Sequence, residues 1–280
     1  MDAKERAQAL HYRQQVEALF DDYAPDFEKS LAALGYDVPN EILSELRGTA
    51  DAVSLTCAVD LGCGTGLAGV AIKPYCKGTL LGCDLSGGML ELAREKAIYD
   101  RLDEMDAVAF LHRALEPASV DLIVAADVTV YMRALDGLMA GAARCLAPGG
   151  RLAFSTEMCS LAEAGGPGGP GWIERPSERI AHCEEYTRAL VQAAGLEMAV
   201  MREVTVRMGG DSVNGPTGEI RGHLCVVFKG EHAPASTGNP FAPLQPLATH
   251  LSETLFRHQH RRHLLLRRTR RRPVVRLVAA

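Results

Sequence analysis

The 280-residue chain is 47% hydrophobic and carries a formal net charge of −5, enough apolar material for one sizeable domain with a core of its own. The charge is uneven: residues 231–280 hold nine arginines against Glu231 and Glu253, a balance of +7, which leaves residues 1–230 at −12. An acidic body argues against a nucleic-acid-binding fold, in which the fold itself is basic.

No apolar run reaches the roughly 18 residues that a transmembrane helix needs. Met1-Asp2-Ala3-Lys4-Glu5-Arg6 opens no apolar h-region, and the acid-rich first turns do not resemble an organelle transit peptide. These features place the expected location in the cytoplasm. The cysteines at 57, 63, 76, 83, 145, 159, 183 and 225 form no C-x-x-C pair. They read as reduced, small core residues, with no metal site.

Residues 3–20 have helical spacing, with Leu10, Val16, Leu19 and Phe20 on one side. Phe20, Tyr23 and Phe27 follow at i, i+3 and i+7, and Pro25 marks a break or a new helix start. This segment is expected either as a packing face or as a lid. Another short helix begins at Val38-Pro39, which makes residues 1–50 a helical lid region. From residue 56 strands and helices alternate: strand 56–61, helix 67–76, strand 79–84, and a helix that Ser86 can cap. A short strand at Met105 precedes a helical turn. A strand over 119–126 ends at Asp127, a helix covers 133–146, and a fifth strand covers 151–156.

The glycine- and proline-rich stretch 164–171 reads as a loop. A helix over 184–194 stops at Gly195. Runs 196–206 and 223–228 lie too close together for a crossover helix, so they are expected as an antiparallel pair. The alternation predicts an α/β fold: a Rossmann-like sheet of seven strands, mostly parallel with an antiparallel last strand, and helices on both faces. Residues 51–230 make the nucleotide-binding domain, and 231–280 a basic, disordered tail.

The first strand runs into Gly62-Cys63-Gly64-Thr65-Gly66, and Asp84 ends the second strand 18 residues after Gly66. A strand, a glycine turn, a helix and a second strand tipped by a carboxylate form half of a nucleotide-binding fold. Gly64, Gly66 and Gly69 also fit the dinucleotide pattern G-x-G-x-x-G, with Asp84 20 residues after Gly64, so an NAD(P)-dependent oxidoreductase is a rival reading. Three features oppose it. Asp60 at the strand mouth repels a diphosphate and suits a cationic ammonium. An antiparallel pair replaces a second mononucleotide-binding half. No Tyr-x-x-x-Lys follows the fifth strand.

Asp60-Leu61-Gly62-Cys63-Gly64-Thr65-Gly66 resembles the first motif of class I S-adenosylmethionine-dependent methyltransferases. Asp84-Leu85-Ser86-Gly87-Gly88-Met89-Leu90 resembles their second-strand motif, and Leu146-Ala147-Pro148-Gly149-Gly150-Arg151-Leu152 the turn before their fifth strand. Ala18 to Phe27, Leu34-Gly35-Tyr36, Arg179-Ile180-Ala181-His182 and Tyr186 further resemble a bacterial-type group often fused to tetratricopeptide repeats. The resemblance spans roughly residues 10–230, and the basic tail has no counterpart in it.

The resemblance implies S-adenosylmethionine as cofactor and assigns roles. Gly62, Cys63, Gly64, Thr65 and Gly66 would cradle the methionine part, and Asp60 would bind its ammonium. Asp84 would accept both ribose hydroxyls, Leu85 and Met89 would pack on adenine, and Asp106 would accept from the adenine amino group. Asp127, Tyr131 and His182 are the candidates at the reaction site, Asp127 also bordering the cofactor.

The acceptor is expected to be a small molecule. No Asn/Asp-Pro-Pro-aromatic follows the fourth strand and no Pro-Cys dipeptide occurs, so nucleic acid is not expected at the core, although the tail arginines could bind it. A catalytically silent binding protein of the same fold is a third reading.

Overall fold

The computed structural model describes residues 3–49, 55–209 and 218–230. The expected basic tail, residues 231–280, lies outside them. Three helices open the chain: α1 (Ala3–Tyr23), α2 (Phe27–Ala33) and α3 (Val38–Thr49). A short 3-10 turn, Ala24–Asp26, separates the first two, with Pro25 near its start. Proline has no N–H to give there and its fixed φ suits a helix's first turn, so the sequence breaks where proline falls.

The alternating part follows as β1 (Leu55–Leu61), α4 (Leu67–Ile72), β2 (Cys76–Asp84), α5 (Gly87–Glu95), β3 (Arg101–Glu104), α6 (Ala107–Arg113), β4 (Val120–Ala125), α7 (Asp136–Cys145) and β5 (Leu146–Met158). Then come β6 (Trp172–Glu174), β7 (Ile180–His182), α8 (Glu184–Ala193), β8 (Glu197–Met208) and β9 (Glu219–Phe228). Ser86 caps α5 as expected, accepting from the Met89 N–H at 3.0 Å. Gly195, at φ +72°, follows α8 in the left-handed region.

The sheet core reads β3-β2-β1-β4-β5, all parallel. Past β5 it turns antiparallel through β9, and β8 pairs antiparallel with β9 at the edge. Together these make the expected Rossmann-like sheet. Two short strands were not expected. β7 adds in parallel to the end of β5 through Glu157↔Ala181 and Met158↔His182, and β6 closes a hairpin on β7. Among the described residues the sheet thus holds the expected seven strands and these two short additions. Three-residue strands carry too little alternation to be read from sequence. Strand β3 also ends at Glu104, so Met105 lies just past it.

Alternate residues of each strand face opposite layers. On one face Val59, Ile123 and Phe154 bury against Phe110 of α6 and Leu138 of α7. On the other Ala58, Leu80 and Val124 bury against Ile42 of α3 and Ile72 of α4. A side chain such as Phe110, fully buried, contributes about 1.5–3 kcal/mol by leaving water. The register Asp60↔Gly82 and Asp60↔Val124 brings the C-terminal tips of β1, β2 and β4 level. In open α/β sheets, ligands bind at those tips.

Candidate active site at the strand tips

The turn after β1 is held by backbone geometry that only glycine adopts without strain. Gly62, Gly64 and Gly66 have φ of +60°, +52° and +96°. A Cβ on Gly62 would also lie 2.5 Å from Val128 Cγ2, so this turn packs directly on the residue after Asp127. A Cβ on Gly64 would meet Phe27 Cε1 at 3.7 Å as its nearest neighbour. The turn therefore presents only backbone towards the N-terminal helices, with the Phe27 ring lying over it, a cradle that a Cβ would fill. Cys63 and Thr65 are buried in the turn, and burial pushes the Cys63 thiol well above its usual range.

Asp84 ties the tips together. Its Oδ2 accepts from the Gly64 N–H at 2.8 Å and its Oδ1 from the Ser86 N–H at 2.9 Å. Burial raises its pKa against these backbone donors. Leu85 beside it is half-buried, and Met89 is buried beneath.

Asp60, expected to bind the methionine ammonium directly or through water, is enclosed at the tip of β1. It is 1% exposed, and its Oδ2 accepts from the Tyr99 hydroxyl at 2.6 Å. Burial lifts its pKa to about 7, opposed by the hydrogen bonds from Tyr99 and the Gly69 backbone. Tyr99 also accounts for the third glycine of the dinucleotide-like pattern: a Cβ on Gly69 would run into the Tyr99 hydroxyl. Gly69 is thus small for packing, the role the third glycine of a dinucleotide pattern also plays.

Asp106 caps α6, accepting from the Ala109 N–H at 2.9 Å, and its other oxygen pairs with Arg13 of α1 at 3.0 Å. That contact is one of several by which the N-terminal helices lie across the tips. Asp21 accepts from the Ser86 hydroxyl at 2.6 Å and from the Gly88 N–H at 3.1 Å. Glu28 pairs with Lys96 at 2.6 Å. The aromatics of this segment share a face: Phe20 meets Phe27 edge-on at 6.1 Å, and Tyr23 meets Phe27 at 5.7 Å.

The remaining candidates lie past β4. Asp127 has φ +58°, and its N–H donates to Ser155 Oγ at 2.8 Å. A non-glycine residue in that region costs about 1 kcal/mol or more and is over-determined by its surroundings. Asp127 Oδ2 pairs with Arg179 at 3.0 Å. Arg179 also reaches Glu157 at 3.4 Å, and Arg207 reaches the same Glu157 oxygen at 2.6 Å. Burial works against the Arg179 charge, but Tyr131, Asp127 and Glu157 hold its pKa above the usual value. Tyr131 lies under the Arg179 guanidinium at 5.4 Å and meets Phe20 edge-on at 5.3 Å. Burial raises its hydroxyl pKa, with Arg179 opposing.

His182, a candidate for this pocket or else a packing or surface histidine, is fully buried in β7. Its Nε2 donates to the Met132 carbonyl at 2.9 Å and its ring stacks on Tyr186 at 5.9 Å. Burial lowers its pKa to about 4, so near neutral pH it is an uncharged packing group.

Sequence reading missed Tyr36, Tyr99, Glu157 and Arg207. Tyr36 is half-buried against the core, with its hydroxyl pKa raised by burial and then by Asp127. Glu157 and Arg207 each fall one residue past the strands expected over 151–156 and 196–206, so the demand of a buried charge for a partner left no mark there. Among the described residues no cluster of His, Cys, Asp and Glu could hold a metal ion. All eight cysteines are free, and all but Cys57 are buried.

A family model described as a methyltransferase domain matches residues 59–152. The chain is 28% identical over 153 residues to methyltransferase GfsG of Streptomyces halstedii, covering 52% of this chain and 55% of that protein. It is 31% identical over 121 residues to a probable S-adenosylmethionine-dependent methyltransferase, CRG1, of Saccharomyces cerevisiae, covering 41% of this chain and 38% of that one. The chain thus spans about half or less of the length of these curated relatives. In fold it resembles magnesium protoporphyrin IX methyltransferase of Synechocystis PCC 6803 with bound S-adenosylhomocysteine, at a TM-score of 0.54 and 15% identity over 78% of this chain and 99% of that one.

Proposed function

We propose that this chain, which carries a class I S-adenosylmethionine-dependent methyltransferase domain, transfers a methyl group to a small-molecule acceptor. The observation that carries the reading is the bond from the Gly64 N–H to Asp84, made at the open glycine cradle where the tips of β1 and β2 meet. Bound S-adenosylmethionine supplies a methyl group already activated on a sulfonium, so the chain's part is mainly alignment and exclusion of water.

Gly62, Cys63, Gly64, Thr65 and Gly66 hold the methionine part. Asp84 holds the ribose, and Leu85 and Met89 border the adenine. Asp106 serves the adenine amino group once Arg13 yields its oxygen. Asp60 acts on the ammonium through the turn it supports, as a nearby negative charge. Asp127 and Tyr131 belong to the acceptor side. The N-terminal helices form the lid of residues 1–50, because their polar ties fall on the cofactor-side loops and their aromatic face on Tyr131. The finer kinship with the group often fused to tetratricopeptide repeats is part of this reading: Arg179 pairs with Asp127 and lies over Tyr131, which Phe20 meets edge-on, and His182 stacks on Tyr186.

No helix among the described residues is long and apolar enough to cross a membrane. The proposed location is the cytoplasm, and the core is not proposed to bind nucleic acid. Transfer of a tritiated methyl group from S-adenosylmethionine into a deproteinised small-molecule extract tests the activity. Label in that fraction supports it. Label confined to added tRNA or protein would overturn the small-molecule acceptor.

A further inference from the structure

The buried ion-pair network past β4 leaves two atoms without a hydrogen-bond partner, Asp127 Oδ1 and Arg207 Nη1. Arg207 is 7% exposed. Its Nη1 stands 3.8 Å from the other oxygen of the same Asp127 carboxylate, so one small ligand group can reach both atoms. The remaining arms of the two side chains are taken: Asp127 Oδ2 by Arg179 and Arg207 Nη2 by Glu157. A buried donor or acceptor left without a partner costs about 1–3 kcal/mol, and a ligand that satisfies both recovers that cost.

We propose that Asp127 Oδ1 and Arg207 Nη1 seat the methyl acceptor, and that the acceptor atom is a hydroxyl oxygen on an aromatic skeleton. The inference rests on the methyltransferase reading and goes beyond it in naming the acceptor chemistry. The place is right, because Val128 next to Asp127 packs on Gly62 of the cofactor turn.

The donor and acceptor inventory selects the hydroxyl. Asp127 Oδ1 needs a donor and Arg207 Nη1 needs an acceptor. A hydroxyl meets both needs and keeps a second lone pair for the incoming methyl carbon. A neutral amine has one lone pair and cannot give it to Arg207 and to carbon at once. A carboxylate has no proton for Asp127 and adds a third negative charge beside Asp127 and Glu157. The network already balances two guanidinium groups with two carboxylates, so a neutral newcomer disturbs it least.

The aromatic skeleton follows from the wall and from proton chemistry. Phe20 stands edge-on against Tyr131 at 5.3 Å, and an acceptor ring takes that seat as α1 gives way. A phenolic hydroxyl, with an ordinary pKa near 10, lies within reach of a carboxylate base when a guanidinium stabilises the oxygen. The step balances without another reactant. The oxygen lone pair forms the new C–O bond as the C–S bond breaks, the sulfonium becomes a neutral thioether, and the hydroxyl proton passes to Asp127.

Three fluorescent probes of one skeleton, 2-naphthol, 2-naphthylamine and 2-naphthoate, test the assignment by titration into the full chain saturated with S-adenosylhomocysteine. Naphthol is expected to bind roughly 10-fold or more tighter than either analogue. That preference is expected to disappear in Arg207→Lys, with S-adenosylhomocysteine binding retained. Equal or weaker binding of naphthol, or binding of none of the three by a chain that still binds S-adenosylhomocysteine, overturns the inference. A chain that fails to bind S-adenosylhomocysteine overturns the methyltransferase reading instead. In the extract assay the transferred label is expected in an alkali-stable methyl group that is not retained on a cation exchanger. Methanol released by alkali marks an ester, and retention marks an amine; either result overturns the hydroxyl.

Discussion

Tyr99 donates its hydroxyl to the buried carboxylate of Asp60 at 2.6 Å, joining the turn after α5 to the tip of β1 beneath the glycine turn. Asp60 is thereby a support of the cofactor turn as much as a charge near it. Removing the donor leaves a buried acceptor without its main partner. Tyr99→Phe is expected to destabilise the fold by about 1–3 kcal/mol, read as a lower urea midpoint at unchanged slope. An unchanged midpoint would mean that the bond contributes nothing.

The same carboxylate sets a pH dependence. Its folded pKa is raised to about 7 from the ordinary 3.8, so the folded state holds the proton more tightly than the unfolded chain. Stability from this group is full below about pH 4 and is lost as pH rises towards 7. His182 acts in the opposite sense: with its pKa lowered from 6.5 to about 4, it loses stability as pH falls through that interval. The two partly offset in the native chain, and variants separate them. The stability of Asp60→Asn relative to the native chain is expected to improve steadily from pH 5 to about 8 in chemical denaturation. A difference independent of pH would contradict the raised pKa.

The N-terminal helices are tied by partly exposed pairs, which are individually weak. Arg13→Ala breaks the pair with Asp106 and is expected to cost less than about 1 kcal/mol globally. Asp21→Ala removes two bonds at Ser86 and Gly88. Together they are expected to speed amide hydrogen exchange across α1 and α2 while leaving the β1 and β4 amides protected. Uniform loss of protection across the sheet would show that these helices belong to the core rather than to a separable cover.

The Glu157–Arg207 pair is a larger commitment. Arg207→Met takes the bond at 2.6 Å from Glu157, 3% exposed, and leaves it only the longer contact with Arg179 at 3.4 Å, so the cost is expected to approach the roughly 3–5 kcal/mol of a broken buried pair. Adding Glu157→Gln is expected to restore part of that loss in thermal unfolding, because the uncompensated charge goes with it. Additive losses would contradict direct coupling.

Much of this architecture could be read from the chain. The β1 tip, the glycine turn and the β4 run stand out because buried parallel strands are apolar runs and glycine marks forced turns. Ser86 as a cap and Pro25 as a break also follow from local chemistry. The β6–β7 hairpin did not, because three-residue strands exist only by pairing with the end of β5. Tyr99 carries no signal of its own in the sequence, since its importance lies in a partner 39 residues away. His182 looked chemically able, and only its burial and its bond to the Met132 carbonyl make it a packing group. The charges at Glu157 and Arg207 fall just past the expected strands, and which charge meets which depends on how β5 and β8 lie in the sheet.

Calorimetric titration with S-adenosylhomocysteine and, separately, with NAD⁺ tests the central claim most directly, on the native chain and on Asp84→Ala. The account predicts one site for S-adenosylhomocysteine, none for NAD⁺, and loss of binding in Asp84→Ala. At about 100 times its dissociation constant, S-adenosylhomocysteine should also add roughly 2.7 kcal/mol of stability to the native chain. Binding of NAD⁺ without S-adenosylhomocysteine would contradict it.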